Sequence, residues 1–260
     1  MLDIFTHMVV QLIKMGIIKG DKVSLDCSII WAWFKDCKWS NSPKHDKERK
    51  CRRNKSRDKD ASWVWWDSHR EKYVYGYKVH IMMDSVSGLP MMLTVTTAAY
   101  GENRTVSWFV RMVLVLSVRV GKFLADAGYD SNGTRLKIIR RLKAVPFIPL
   151  NIRNTGGSTT EEKKARRKAA CLKFYAKNFK NFWVDPDSEE FDREFDARTF
   201  SEQGFSVGKG SLNLDSLKHV GREWATLHSV CICMVMLLVA KTAVEMGRPD
   251  LKRCVKCFQG

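Results

Sequence analysis

The sequence predicts an α/β fold: a mixed β-sheet with helices packed against its faces. Three observations lead there. Segments that alternate apolar and polar residues are interleaved with segments of helical period, in the order strand, insertion, hairpin, helix, strand, helix, strand. Two strands are separated only by Ser85-Val-Ser-Gly-Leu89, a turn with Gly88 as the positive-φ residue. A further strand, Gly121 to Asp126, ends on a carboxylate and turns through Gly128 into a helix capped by Asp130 or Ser131. In open α/β sheets the carboxyl edge of the strands is where ligands and metals gather.

The composition narrows the class. The chain has 260 residues, 45% of them hydrophobic, which is enough for a packed core and excludes a disordered protein. Its formal net charge is +17, which points to a polyanionic partner, nucleic acid first. Eight cysteines show no disulfide-framework spacing and read as reduced thiols. Cys254-x2-Cys257 is half of a zinc site, with no second pair at matching spacing. Asp3 and the lack of a small-residue cleavage site argue against a signal peptide. Val230 to Ala240 is strongly apolar but bounded by His228 and Lys241, shorter than the ~20 residues of a membrane span, and reads as a core helix.

In chain order, Ile4, Phe5, Met8, Val9, Leu12, Ile13 and Met15 give Leu2 to Ile18 a helical period, with Gly16 as its stop. Lys22 to Ile30 alternates as a strand, with Val23, Leu25 and Cys27 on one face and Ser24, Asp26 and Ser28 on the other. An aspartate there is either an exposed edge position or a residue with a partner. From about residue 35 to 72 comes a basic insertion including Lys50, Arg52 and Arg53, followed by Trp63, Trp65 and Trp66. Basic charge beside aromatics suits backbone contact and base stacking, although the tryptophans read equally well as core. Tyr75 to Asp84 and Pro90 to Thr97 form the hairpin, Asn103 to Val118 a helix, Asn132 to Lys143 a basic helix, and Val145 to Leu150 an edge strand. A second basic insertion covers about 151–190, partly helical. Asp84 reads as turn-forming, Asp130 as a helix cap, and His80 and His228 as core histidines.

If Phe195 to Glu202 is helical, Phe195, Arg198 and Glu202 share one face. Such a face is either a ligand site or a common surface Arg198–Glu202 pair. Phe195-x2-Arg198-x3-Glu202-x6-Lys209 resembles, with Phe for Tyr, the Y-x2-R-x3-E-x6-K signature of insertion-sequence DDE transposases. Val23-Ser-Leu-Asp26 resembles that family's first catalytic strand, Tyr75-Gly-Tyr-Lys-Val-His80 with Gly88-Leu-Pro90 its next two, and Leu124-Ala-Asp126-Ala-Gly-Tyr-Asp130 the strand bearing the second aspartate. His219 to Ala240 and Gly247-Arg-Pro-Asp-Leu251 resemble the family's last part.

The resemblance implies a ribonuclease-H-like fold, one catalytic domain over 1–260, without the usual N-terminal DNA-binding region. It implies that Asp26, Asp126 and Glu202 gather two Mg2+ or Mn2+ ions, for which hard carboxylate oxygens are suited. Arg198 and Lys209 would hold phosphates. Lys50, Arg52 and Arg53 are further DNA-backbone candidates from the basic insertion. The implied function is DNA transposition by strand cleavage and strand transfer. The protein would act as a homo-oligomer on DNA, cytoplasmic and nucleoid-associated, with no membrane partner. The rival expectations are a non-catalytic relative that binds DNA or pairs with a full-length transposase, and a structure-selective nuclease on the same fold.

Overall fold

Strand β1 (Lys22–Trp31) is the middle of the sheet because neither of its faces is left to solvent. Val23, Leu25 and Ile30 are buried on it, and so are Ser24 and Asp26. A computed structural model of the protein describes residues 1–33, 58–67, 72–153 and 155–258. On one side β1 pairs antiparallel with β3 (Lys72–Asp84), and on the other it pairs parallel with β5 (Lys122–Ala125). β3 turns back antiparallel into β4 (Leu89–Thr97), and β6 (Val145–Phe147) adds parallel to β5 as the far edge. The expected mixed α/β sheet flanked by helices is therefore the observed one, with six strands, and it is consistent with a ribonuclease-H-like transposase domain.

The remaining strand, β2 (Ser62–Asp67), carries the tryptophans that the sequence places at the end of the basic insertion. It pairs antiparallel with the first part of β3, next to β4 along the same edge. The pairing is held by aromatic cross-strand contacts. Trp63 lies opposite Tyr75 with ring centroids 5.2 Å apart, and Trp65 lies edge-on to Tyr73 at 4.4 Å. Trp63 packs on the core while Trp65 is 41% exposed, so the two tryptophans divide between the alternatives.

The helices cover the sheet for reasons visible in their apolar spacing. α1 (Leu2–Lys14) buries Phe5, Val9 and Leu12 at helical intervals and ends before Gly16, whose φ is +70°. α2 (Val106–Val115) buries Val106, Phe109, Val110 and Val113. α3 (Asn132–Lys137) starts at Ser131, whose hydroxyl accepts the Thr134 N–H. It runs on as a π-helical turn, Ile138–Leu142, and stops at Lys143 in a left-handed conformation. Ser131 is thus the cap, and Asp130, expected as the cap, is engaged elsewhere.

α4 (Thr160–Asn178) forms about half of the second basic segment. α5 (Glu189–Phe195) leads through a short 3-10 turn, Asp196–Arg198, into α6 (Thr199–Leu212). α7 (Arg222–Glu245) lies over β4 and β3 and packs against α1. Among the described residues it is the one helix long and apolar enough to cross a membrane, and Val230, Cys233, Leu237 and Ala240 of that stretch are core residues.

Two smaller expectations resolve here. Asp84 does form the hairpin turn: its carboxylate accepts the Ser87 N–H at 2.9 Å and the Gly20 N–H at 3.0 Å. Cys254 and Cys257 are joined as a disulfide, which corrects the reading of all eight cysteines as reduced thiols. They are three residues apart in sequence, Cys254 just before the last 3-10 segment and Cys257 within it.

Candidate active site

The β1–β5 register pairs Leu25 with Ala125, so the next residue on each strand is an aspartate. Asp26 and Asp126 therefore lie side by side, although 100 residues separate them in sequence. Asp26 is 8% exposed, not on an edge. One oxygen, Oδ1, accepts the Cys27 N–H at 2.8 Å, and the other accepts Arg198 Nη2 at 3.1 Å. Burial pushes its carboxyl up to about 6, against the pull of Arg198 and the Cys27 N–H; the neighbouring Asp126 and Glu202 charges push the same way. Asp126 caps the short turn that follows β5, its Oδ1 accepting the Gly128 N–H at 2.7 Å. Burial and the nearby Glu102 charge raise its carboxyl as well.

α6 carries Glu202 to the Asp26 side of the site, where Arg198 links the two. Ser201, on the same helix, is fully buried and hydrogen-bonds Ser24 of β1. Gly204 lets the helix come close to β3, since a Cβ there would stand 2.3 Å from the Met83 methyl. Glu202 itself remains 59% exposed on its side chain and accepts Arg198 Nη1 at 2.9 Å. Arg198 thus bridges Asp26 and Glu202, with its guanidinium 5.8 Å from the Phe195 ring centroid. Its Nε is buried with no hydrogen-bond partner among the described residues. Phe195 stacks on Phe191 at 5.4 Å and packs with Leu124 and Phe147, contacts an apolar ring makes without a hydroxyl. Lys209 lies two turns beyond Glu202 on α6, roughly 10 Å along its axis, partly exposed and in no ion pair among the described residues. Lys50, Arg52 and Arg53 lie outside the described residues.

Residues 40–238 match the family described as "Transposase DDE domain". The chain belongs to that family. The match spans about three quarters of the sequence and includes Asp126, Arg198, Glu202 and Lys209, and it begins after Asp26. No curated protein and no solved structure matches the chain.

Beside these three candidate carboxylates lies a fourth that the sequence pattern does not single out. Glu102 approaches the Asp126 turn so closely that a Cβ on Gly128 would stand 2.3 Å from its Oε2 and 2.9 Å from Asp126 Oδ1. Burial opposes its charge, yet Lys78 at 2.9 Å outweighs that and holds the carboxyl below its usual range. The available signal was Lys78 itself, a cation in the middle of an otherwise apolar strand, which needs an acidic partner.

Behind this pair lies His80, fully buried, with Nε2 3.0 Å from Thr96 Oγ1 and Nδ1 3.5 Å from the Tyr129 hydroxyl. It is the core histidine the sequence suggests. Burial and the Lys78 charge lower it from 6.5 to about 4. The unfolded chain therefore binds a proton near pH 6.5 that the folded protein accepts only near pH 4, and stability falls as pH drops through that window. We expect a contribution of about 3 kcal/mol to be lost between pH 6.5 and 4. Urea unfolding across this range should show it, and His80→Gln should flatten the dependence; an unchanged pH slope in the variant would remove the assignment.

The transposase family generally uses divalent metal ions. Among the described residues no three acidic, histidine or cysteine side chains stand close enough to hold a metal ion. The donor chemistry nevertheless suits such an ion. Asp26, Asp126 and Glu202 offer only hard oxygen donors, and the raised Asp26 carboxyl marks a buried place short of positive charge. Arg198 supplies part of that charge here.

Proposed function

We propose that this transposase cuts DNA strands at the ends of an insertion sequence and joins the freed 3′ ends to target DNA, using Asp26, Asp126 and Glu202 as its catalytic carboxylates. The observation that supports the reading is the side-by-side placing of Asp26 and Asp126 by the β1–β5 register, with Arg198 linking Glu202 in the first turn of α6 to Asp26. Two Mg2+ or Mn2+ ions held by these side chains would supply activation of the attacking oxygen and charge stabilisation of the leaving one.

The chain's own residues do the rest. Asp26, rigid in the sheet, and Asp126, fixed by its turn, set the fixed side of the site. Glu202 closes it from a helix that can adjust. Arg198, which lies against Asp26 and Glu202, is the cation placed to bind a phosphate oxygen beside them, and Lys209 would hold the next stretch of backbone. Phe195, Arg198, Glu202 and Lys209 together are read as the Y-R-E-K signature with phenylalanine in the tyrosine position. Lys50, Arg52 and Arg53 bind backbone phosphates. Residues 1–260 act as a catalytic domain with basic insertions at about 35–72 and 151–190, assembled as a homo-oligomer on DNA in the cytoplasm, at the nucleoid.

The test is cleavage of labelled DNA carrying the flanking terminal repeats, with Mg2+ or Mn2+, by the protein and by Asp126→Ala. The protein should nick at the repeat ends. The variant should fall by on the order of 10³-fold, because several kcal/mol of charge stabilisation are removed. Equal cleavage by both would overturn the carboxylate assignment. Cleavage by neither, with DNA binding retained, would favour the reading of a non-catalytic relative that inhibits or assists a full-length transposase; the Arg198 bridge across Asp26 and Glu202 is what speaks for that alternative.

A further inference from the structure

Asp130 accepts four hydrogen bonds, three of them from two guanidinium groups, and the reaction as described makes no use of it. Its side chain is 0% exposed. Oδ1 accepts Arg135 Nε at 3.0 Å and Arg167 Nη2 at 2.8 Å; Oδ2 accepts Arg167 Nε at 2.8 Å and the Asn151 N–H at 2.8 Å. Arg135 is local, on α3, and is itself buried, with Nη2 on the Ile148 carbonyl at 2.7 Å and Nη1 on the Tyr175 hydroxyl at 3.3 Å. Arg135 alone would neutralise Asp130. The second guanidinium comes from α4, 37 residues away, and binds in the two-pronged geometry that fixes orientation as well as charge.

What it fixes is the turn of the transposase site. Asp126 to Asp130 is one short 3-10 unit: the Tyr129 N–H donates to the Asp126 carbonyl at 3.1 Å, and the Asp130 N–H to the Ala127 carbonyl at 3.1 Å. A displacement of Asp130 is therefore passed to Asp126 through three residues of hydrogen-bonded backbone. α4 is seated by Cys171 and Tyr175, both buried, so the grip of Arg167 comes from a docked helix rather than a loose side chain.

We propose that Arg167 is a positioning residue of this site: through Asp130 it holds the turn that presents Asp126, so the carboxylate site is in order only while α4 is docked. The inference rests on the reading of Asp126 as a site carboxylate.

The experiment uses the full chain and compares Arg167→Ala, Arg167→Lys and, as a control on the exposed side of α4, Arg166→Ala. Two quantities are measured without DNA: Mn2+ binding by electron paramagnetic resonance, and amide hydrogen exchange. Arg167→Ala should weaken Mn2+ binding by about 10- to 100-fold, as loss of outer-shell partners does, and speed exchange in residues 126–131 while β1 and β3 keep their protection. Arg167→Lys, which keeps the charge and loses the fork, should recover part of both, and Arg166→Ala should match the parent protein. Unchanged Mn2+ affinity and unchanged exchange in 126–131 would overturn the proposal, and so would exchange that rises equally across β1 and β3. Should Arg167→Ala not fold, Arg167→Lys decides on the same two readouts. If the parent protein binds no Mn2+, the metal reading of the carboxylates fails, and the exchange of 126–131 still decides the role of Arg167.

Discussion

Replacing Asp26 with asparagine should stabilise the metal-free protein at neutral pH while abolishing DNA cleavage. The folded protein holds the Asp26 carboxyl near 6, whereas in the unfolded chain it ionises near 3.8. A group whose value is raised on folding contributes stability that is complete below pH 3.8 and lost as pH rises through 6. At pH 7 the ionised, buried Asp26 is therefore a net burden in spite of its bond to Arg198. Asparagine preserves the shape and removes the charge. The gain at pH 7 should be about 1–3 kcal/mol, the upper end being the full shift and the lower end allowing for the partner that Arg198 loses. In a thermal melt this is a rise of several degrees, on the order of 2–4 °C per kcal/mol for a chain of this size. The rise should shrink towards pH 4, where the parent carboxyl is protonated too. A variant that melts lower than the parent at pH 7 would show that the Arg198 contact outweighs burial, and that the site does not store this strain.

Gly76→Ala should have the largest effect on folding. Gly76 sits where β3 is flanked on both sides, paired with Trp31 of β1 and Ser62 of β2. A Cβ there would lie 2.1 Å from the Ile30 carbonyl oxygen, 3.0 Å from the Ala32 nitrogen and 3.1 Å from the Trp31 Cα. All three are backbone atoms, so no side chain can swing aside; the β1–β3 ladder must open. Overpacking at a well-ordered place costs about 1–3 kcal/mol, and a clash with backbone at this distance belongs at or above the top of that range. Gly210→Ala on α6 is the matched control. A Cβ there meets nothing within 4 Å, and alanine in a helix should help by roughly 0.5–1 kcal/mol. Urea midpoints of the two variants should move in opposite directions. Equal midpoints for Gly76→Ala and the parent would mean that β1 and β3 pack less tightly than they are placed.

Much of this was legible from the chain alone, because the period of a pattern reports which face is buried. The alternation around Asp26, the apolar run before Asp126 and the i, i+3, i+7 spacing of Phe195, Arg198 and Glu202 each place a residue on an element. The parallel β1–β5 register then joins two of those elements. Four things were not legible, each for a physical reason. β2 was hidden because its aromatic residues follow a long basic run, and an aromatic strand held by Tyr73 and Tyr75 has no signature until its partner is known. Asp130 read as a cap because that is what an aspartate before a helix usually does; only the fold brings Arg167 to it from 37 residues away. Glu102 sits in a polar tract with no period at all. The sequence also spaces Arg198 and Glu202 for a pair, but could not show that Arg198 reaches Asp26 as well.

The position of β1 between β3 and β5 also sets an order in time. During synthesis the strand bearing Asp26 emerges first, and its parallel neighbour emerges about a hundred residues later; Glu202 follows only with α6. At ordinary rates of translation that interval is on the order of ten seconds or more. Contacts of such long sequence separation are also slow to close even in a finished chain. A ribosome-bound fragment can thus carry a folded hairpin and an open sheet edge but no assembled carboxylate site. The elements that carry Asp26, Asp126 and Glu202 can thereby come together only after α6 has left the ribosome.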